Sequence, residues 1–285
     1  MIKLLIQLIA VFILAAQMTG CSTLSHDEGK ADSKQVANTQ PSTQSPAAAE
    51  NPSMENNDQP VPSVQPAPKD SAKPIKLYRM NEAYRFVPIE ESSPDKVVLL
   101  TFDDGLKDEA VLTSMLDTLD KHAAKAVFFV NGYRVKQNPQ LLELIHQRGQ
   151  TIGNHSWDHI NLKNENEEII EKQISDLQTK IESLIGEKPL FFRPPFGSGG
   201  DIVKKIVKNH GMLYMTWSNG SLDWDKSTKD KPDEVIRNVM EQLHPGANIL
   251  MHELQWTADA LDELLTKLKD KGYGFIDPAA IAAIR

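Results

Sequence analysis

Cysteine is almost absent from this chain of 285 residues, which contains only Cys21. A single cysteine cannot form an intrachain disulfide, and it also excludes a cysteine-rich zinc site. Any metal ion bound by the chain must therefore be held by histidine and carboxylate side chains.

Blocks of basic residues are also absent. The chain has 31 Lys and Arg residues against 39 Asp and Glu residues, which gives a formal net charge of −8. Proteins that bind nucleic acid usually present a basic face, so we expect no nucleic-acid partner. The acidic balance likewise argues against simple electrostatic adhesion to anionic polymers.

The apolar run at the N-terminus, residues 4–16, is shorter than the about 20 residues that a transmembrane helix needs. It follows Lys3 and leads into the segment MTGC, which ends at Cys21. Small residues before a lone cysteine resemble the bacterial lipoprotein processing site, which implies cleavage before Cys21 and lipid attachment to its thiol and new amino terminus. An ordinary signal peptide and an uncleaved anchor are the alternatives. All three place the rest of the chain outside the cytoplasm.

Composition divides the chain into three parts. Residues 1–20 are the expected lipoprotein signal peptide. Residues 21–76 are rich in Ser, Pro, Gln and Ala, and they cannot bury enough apolar surface to offset chain entropy, so we expect a disordered linker there. Residues 77–285 alternate short apolar runs with helical patterns, which predicts a globular domain.

Strands and helices alternate in the sequence of the globular part. Short apolar runs predict strands at residues 97–102, 126–130, 151–153, 212–217 and 248–251, with helices between them. Asn164 with Glu167 resembles a capping box, which predicts the start of a helix there. Gly186 is expected to end this helix. This alternation implies an α/β fold with a parallel sheet, open or closed into a barrel. Its active site is expected at the carboxyl ends of the strands.

Two segments that carry carboxylates and histidines follow predicted strands. Asp103 and Asp104 come directly after the first strand, where a parallel fold displays reactive side chains, although they could instead be helix-capping residues. His155 and His159 follow the third strand, and their spacing lets both reach one metal ion if the segment is helical or turned. Such a pair also arises by chance on surfaces. Adding one carboxylate to two histidines gives the three-ligand pattern of catalytic zinc sites.

Three further segments carry polar residues. Arg193 begins the segment RPPFG, in which the prolines fix the backbone and the arginine offers a rigid fork for a carboxylate. A stiff loop with a surface arginine would have the same pattern. Asp223 directly precedes Trp224, and His252 follows the last predicted strand, where a lone histidine is more often structural than catalytic.

Together these five segments, in this order, resemble the polysaccharide deacetylase family, carbohydrate esterase family 4, whose shared region is also called the NodB homology domain. The resemblance covers residues 97–276, and the ordered set is far more specific than any one segment. It implies a distorted (β/α) barrel with seven strands, and it assigns residues 77–285 to a deacetylase catalytic domain.

The resemblance also assigns roles to individual side chains. It implies that Asp103 is the general base and that Asp104, His155 and His159 are the metal ligands. Arg193 resembles the residue that pairs with the base and keeps it ionised. The remaining residues shape the substrate pocket and protonate the leaving group.

On the substrate side, Phe196 occupies the position whose backbone N–H faces the oxyanion, and Trp224 and Leu250 are similar to walls of the acetyl pocket. His252 resembles the general acid and Asp223 the carboxylate that orients it. The chain departs from the common family pattern in two places. Leu106 stands where Pro is common, and Glu253 where Asp is frequent.

The resemblance implies a metal-dependent hydrolase of N-acetylated amino sugars, with Zn²⁺ or another divalent ion such as Co²⁺ or Ni²⁺ as its cofactor. A lipid tether beside a cell wall favours peptidoglycan, on its GlcNAc or MurNAc units, over poly-N-acetylglucosamine or chitin oligomers. We expect a monomer outside the cytoplasm, anchored to the membrane at Cys21. A catalytically silent glycan-binding lipoprotein would be expected to have a damaged metal triad or to lack the base. A hydrolase of small cyclic amides would not need a wall tether.

Overall fold

The computed structural model describes residues 74–282. The predicted signal peptide, nearly all of the predicted linker and the predicted lipidation site at Cys21 lie outside the described residues. Residues 74–77 are exposed and have no regular secondary structure. None of the helices between residues 74 and 282 combines the length and the apolar character that crossing a bilayer requires.

Short strands and longer helices alternate through the described residues. The strands are β1 (Tyr78–Met80), β2 (Phe86–Pro88), β3 (Val97–Asp103), β4 (Ala126–Val130), β5 (Thr151–Asn154), β6 (Phe191–Phe192), β7 (Leu213–Tyr214), β8 (Asn219–Gly220), β9 (Ala247–His252) and β10 (Gly274–Phe275). The α-helices are α1 (Glu109–Lys121), α2 (Gly132–Gln137), α3 (Pro139–Gln147), α4 (Glu167–Ile185), α5 (Asp201–Asn209), α6 (Pro232–Glu241) and α7 (Gln255–Asp270). Three short 3₁₀ helices cover Leu162–Asn164, Pro195–Gly197 and Pro278–Ala280.

One parallel sheet organises the domain. Seven strands lie side by side in the order β7-β6-β5-β4-β3-β9-β8, and β10 pairs with the start of β3. Within residues 74–282, β7 and β8 end this run without pairing with each other, so the sheet is a curled half-barrel. The predicted α/β class and distorted (β/α) barrel are confirmed, and β1 with β2 adds a separate antiparallel hairpin.

The central strand β3 is buried on both faces, because alternate side chains of a strand point to opposite sides of the sheet. Val98, Leu100 and Phe102 belong to the core cluster that also contains the apolar faces of α1 and α7. Leu99 belongs to a second cluster, to which the hairpin contributes Phe86. An apolar run buried on both faces is typical of parallel sheets covered by helices.

Two sequence predictions at element boundaries are wrong. The N-cap of α4 is Asn166, whose side chain accepts a hydrogen bond from the Ile169 N–H at 2.9 Å, and not Asn164. Asn164 instead ends the 3₁₀ helix Leu162–Asn164, and the chain is extended at Glu165 and Asn166 before α4 begins. The strand predicted at residues 212–217 is limited to Leu213–Tyr214, because only this pair is in register with β6. Gly186 ends α4, as predicted, and the structure shows that it does so in the left-handed conformation.

Candidate active site

Five strands of the sheet carry the predicted site residues to one edge. Asp103 and His252 are the last residues of β3 and β9, and His155 and Arg193 directly follow β5 and β6. Asp223 lies three residues beyond the end of β8. Because the strands are parallel, their carboxyl ends meet at the same edge of the sheet, which is where open and closed α/β folds build their sites.

The three predicted metal ligands form one cluster. Asp104, His155 and His159 each offer one ligand atom, and these atoms all lie within 4.8 Å of one another. The Asp104 Oδ1 atom is 3.3 Å from His159 Nε2 and 3.7 Å from His155 Nε2. Asp104 and His159 have left-handed backbone conformations, with φ of 59° and 55°. Non-glycine residues in this region are strained, and such strain concentrates at functional sites.

The protonation pattern of this cluster fits a divalent metal ion. Asp104 Oδ1 is buried without a hydrogen-bond partner among the described residues. His155 Nδ1–H donates to the Arg193 carbonyl oxygen at 2.7 Å, which leaves the Nε2 lone pair turned toward Asp104. Burial lowers the pKa of His159 and favours the neutral ring that binds metal. Burial alone would raise the pKa of Asp104, but this pKa lies below its ordinary value because His155 and His159, when protonated, place positive charge beside the carboxylate.

A buried ion pair fixes Asp103. The Arg193 guanidinium is fully buried and donates from Nη1 to Asp103 Oδ1 at 2.7 Å and to Thr101 Oγ1 at 2.8 Å. Its Nη2 donates to the Thr216 carbonyl oxygen at 2.9 Å and to Asn248 Oδ1 at 3.2 Å. Burial lowers the pKa of Arg193 below its ordinary value, and the charge of Asp103 offsets only part of this effect. The remaining carboxylate oxygen of Asp103 lies 3.7 Å from His155 Nε2.

A second carboxylate orients His252. The imidazole Nδ1–H donates to Asp223 Oδ1 at 2.7 Å, so Nε2 is the ring nitrogen left for a ligand. Asp223 Oδ2 accepts from the His252 backbone N–H at 2.6 Å and from Thr257 Oγ1 at 2.7 Å. Burial alone would lower the pKa of His252, but the hydrogen bond and charge of Asp223 raise it above its ordinary value.

A cavity of about 380 Å³ lies between these groups. Leu250 forms a buried wall, whereas the residues Phe196 and Trp224 are 65% and 46% exposed. The Trp224 ring packs edge-on against His252, and the Phe196 ring against His159. Phe196 has a φ of 60°, and its backbone N–H donates no hydrogen bond within residues 74–282. The cavity is lined by Asp103, Asp104, His155, His159, Phe196, Gly197, Trp217, Trp224, Leu250 and His252.

The structure thus brings together every predicted site residue except Cys21, which lies outside the described residues. Arg193 contacts Asp103 and Asp223 contacts His252, but neither Arg193 nor Asp223 lines the cavity. Sequence reasoning missed the supporting side chains of Thr101, Asn248 and Thr257. Thr101 is two residues before Asp103 on β3, so it shares the face of that residue, and this signal could have identified it.

Comparison with known proteins identifies the family. A family model described as polysaccharide deacetylase matches residues 90–215, a range that ends before Asp223 and His252. The peptidoglycan-N-acetylglucosamine deacetylase of Bacillus cereus is 33% identical over 199 residues, which are 67% of this chain and 90% of that protein. The peptidoglycan-N-acetylmuramic acid deacetylase PdaA of Bacillus subtilis is 32% identical over 186 residues, which are 65% of this chain and 70% of that protein.

The chain spans a smaller share of other curated relatives, 57% of one and 43% of another. Among solved structures, that of wild-type BA3943 from Bacillus anthracis, a CE4 family pseudoenzyme, is 36% identical with a TM-score of 0.61. That match covers 64% of this chain and 63% of the other. The matched region, the ordered segments and the parallel sheet agree, and the chain belongs to the polysaccharide deacetylase family, carbohydrate esterase family 4.

Proposed function

We propose that this chain is a metal-dependent hydrolase that removes N-acetyl groups from the amino sugars of peptidoglycan. One observation carries the proposal: Asp103 and His252 line the same cavity as the Asp104, His155 and His159 cluster. Amide hydrolysis requires a base for water, stabilisation of the oxyanion and an acid for the leaving amine, and this cavity contains a candidate for each. The relatives named as peptidoglycan deacetylases support the substrate class.

Asp103 serves as the general base. Its Oδ1 is occupied by the Arg193 guanidinium, so Oδ2 is left to accept the proton of a water molecule in the cavity. The bonds from Arg193 to Thr101 and Asn248 hold the guanidinium in place. The base is therefore fixed before substrate arrives, which removes a reorganisation cost from the reaction.

Asp104, His155 and His159 would hold the divalent ion, which polarises the acetyl carbonyl and makes water more acidic when it is bound. We propose Zn²⁺, with Co²⁺ and Ni²⁺ as alternatives, because a set of two histidines and one carboxylate is typical of catalytic zinc sites. The Phe196 N–H, which has no other acceptor within residues 74–282, donates to the developing oxyanion.

His252 serves as the general acid. Asp223 raises the pKa of its imidazole and binds Nδ1–H, so the protonated ring presents Nε2–H to the cavity. That proton passes to the sugar nitrogen as the carbon–nitrogen bond breaks, and the products are acetate and a free amine. Leu250 and Trp224 enclose the acetyl methyl group, and the exposed rings of Trp224 and Phe196 offer faces on which sugars stack.

Two features of the proposal rest on the sequence outside the described residues. Lipidation of Cys21 would anchor the protein outside the cytoplasm, and residues 21–76 would carry the catalytic domain from the membrane toward the wall. Peptidoglycan is the polymer nearest to such an anchor. Poly-N-acetylglucosamine and chitin oligomers are the alternatives, because they present the same N-acetyl group.

A catalytically silent glycan-binding protein is the second candidate, since a solved structure similar to this chain is that of a pseudoenzyme. Against it, the proposed base is hydrogen-bonded to Arg193, the proposed acid is hydrogen-bonded to Asp223, and the ligand atoms of the three proposed metal ligands lie close together. Binding of sugar without acetate release would favour this second candidate.

Acetate release tests the proposal directly. Purified peptidoglycan, poly-N-acetylglucosamine and chitin oligomers are each incubated with the protein, then with protein stripped by a chelator and reloaded with Zn²⁺, Co²⁺ or Ni²⁺. We expect release from peptidoglycan, its loss on chelation and its return on reloading. His155→Ala should lose activity and bound metal, whereas the control His146→Ala on α3 should keep both. Full activity of the stripped protein would contradict the mechanism.

A further inference from the structure

The loop between Asp104 and α1 is held by one buried carboxylate. Glu253 Oε2 accepts from the Leu106 N–H at 3.0 Å, and its Oε1 accepts from the N–H groups of Lys107 and Asp108 at 2.9 Å and 3.4 Å. Glu253 is 3% exposed and directly follows His252 in the chain. A carboxylate that accepts three backbone N–H groups replaces, for this loop, the bonds that regular secondary structure would supply.

The loop needs this support because its own conformation is unfavourable. Asp104 and Leu106 have φ of 59° and 70°, so two non-glycine residues near the turn are left-handed. Such residues persist only where their surroundings fix them. Asn138 Nδ2 donates to the Leu106 carbonyl oxygen at 2.9 Å, so the backbone N–H and the backbone carbonyl of Leu106 are both hydrogen-bonded by side chains.

We propose that Glu253 is a positioning residue that holds Asp103 and Asp104 in their working geometry by bonding the loop that follows them. This inference rests on the proposed function, since it assigns Asp103 to the base and Asp104 to the metal. Glu253 does not line the cavity, so it acts through the loop and not on substrate. It also links that loop to β9, the strand that ends at the proposed acid, His252.

The residue types at positions 105 and 106 allow Glu253 to make this contact. A Cβ atom added at Gly105 would lie 2.8 Å from Glu253 Oε2, so the glycine is what allows the carboxylate to approach the turn. A proline in place of Leu106 would offer no N–H and could not adopt a φ of 70°. The two departures from the common family pattern, Leu106 and Glu253, therefore meet in one hydrogen bond.

The test compares Glu253→Gln with Glu263→Gln in the full chain. The amide keeps the size of Glu253 but turns an NH₂ group toward at least one loop N–H, so the loop loses an acceptor. Glu263 is an exposed residue of α7 that forms an ion pair with Lys267 in the next turn, so the same chemical change there is the control. Glu253→Asp keeps the charge but has a shorter side chain, which places the carboxylate further from the loop. It is the test variant if Glu253→Gln fails to fold.

Three quantities are measured well below the melting temperature of each variant: Zn²⁺ affinity by competition with a chromophoric chelator, kcat and KM. We expect Glu253→Gln to weaken Zn²⁺ affinity and lower kcat by about 10–100-fold each, with Glu253→Asp between it and wild type. KM should change by less than about twofold, because the cavity is untouched. Glu263→Gln should match wild type in all three.

The outcomes separate the two proposals. Loss of Zn²⁺ affinity in Glu253→Gln supports the positioning role even if wild type releases no acetate, a result that would overturn only the proposed function. A variant with a lower melting temperature but wild-type Zn²⁺ affinity and kcat would show that Glu253 is merely structural and would overturn the inference. Unchanged affinity and kcat in Glu253→Asp would overturn it as well.

Discussion

At the scale of single residues, Asp103 and Asp104 are neighbours in the chain with different surroundings. Asp103 is the last residue of the extended strand β3, and its carboxylate is bound by Arg193. Asp104 is left-handed, so its side chain turns away from that ion pair and toward His155 and His159. One change in backbone conformation thus gives two adjacent carboxylates separate partners, and separate roles are expected to follow.

Substitution of each carboxylate by its amide should separate these roles. Asp103→Asn should retain metal while the rate falls by about 10²–10⁴-fold, because only the base is lost. Asp104→Asn should reduce metal content and rate together, because it removes one of three ligands. Metal content measured by plasma mass spectrometry beside acetate release decides between them. Equal loss of metal in both variants would contradict the assignment.

The pair of His252 and Asp223 makes a prediction about pH. The proposed acid is the protonated imidazole, so activity should be present below the pKa of His252 and be lost as pH rises through it. Asp223 is what raises that pKa above its ordinary value, against the effect of burial. Asp223→Asn should therefore move the fall of kcat/KM at high pH, the alkaline limb of its pH profile, to lower pH. It should also reduce the maximum rate.

The control for this pH profile is Asp225→Asn. Asp225 lies two residues further along and is fully exposed, and its side chain accepts from the Ser227 N–H at 2.8 Å without a bond to His252. Its alkaline limb should coincide with that of wild type. If Asp223→Asn also leaves the limb in place, a group other than His252 sets it.

At the scale of secondary-structure elements, length decides what the sequence can predict. The seven-residue β3 and the five-residue β4 were recognisable because apolar residues dominate both. The strands β6, β8 and β10 have two residues each and no periodicity of their own. They are strands only because a neighbouring strand lies beside them, which local sequence does not encode.

The candidate site shows the same limit. Most residues that line the cavity could be predicted because they lie in ordered segments that resemble a family, whereas Trp217 also lines it and lies outside those segments. The side chains that support them could not, since the bond from Arg193 to Asn248 joins residues 55 positions apart. Asn248 does carry a weak signal, because it is a buried polar residue in the apolar strand β9, and buried polar groups need partners.

The revised start of α4 gives a stability prediction. Asn166→Ala removes the hydrogen bond to the Ile169 N–H, so it should destabilise the domain by about 1 kcal/mol. For a domain of this size that lowers the Tm by about 2–4 °C. Asn164→Ala, at the position that the sequence pattern had favoured, should change stability by less than about 0.5 kcal/mol. Thermal unfolding followed by circular dichroism would show the reverse order if Asn164 were the cap.

At the scale of the whole molecule, the parallel sheet brings residues that are far apart in the sequence next to each other. Asp103 and His252 are 149 positions apart, yet they are register partners at the ends of β3 and β9. The proposed base and acid therefore start from adjacent strand ends, and the acetyl group has to enter between them. Moving either strand by one residue would turn its side chain to the other face of the sheet, so register and function are linked.

The last prediction concerns how the molecule is held at its site of action. If Cys21 is lipidated on its thiol and its new amino terminus, more than one acyl chain enters the membrane, and two such signals suffice for stable anchoring. Cys21→Ala should then abolish incorporation of radioactive palmitate and leave the signal peptide uncleaved at that position. The neighbouring substitution Ser22→Ala should keep the label, because it leaves the thiol intact. Equal labelling of wild type and Cys21→Ala would refute lipidation at this residue. That result would leave the proposed site unaffected, because its cavity and its proposed ligands do not include Cys21.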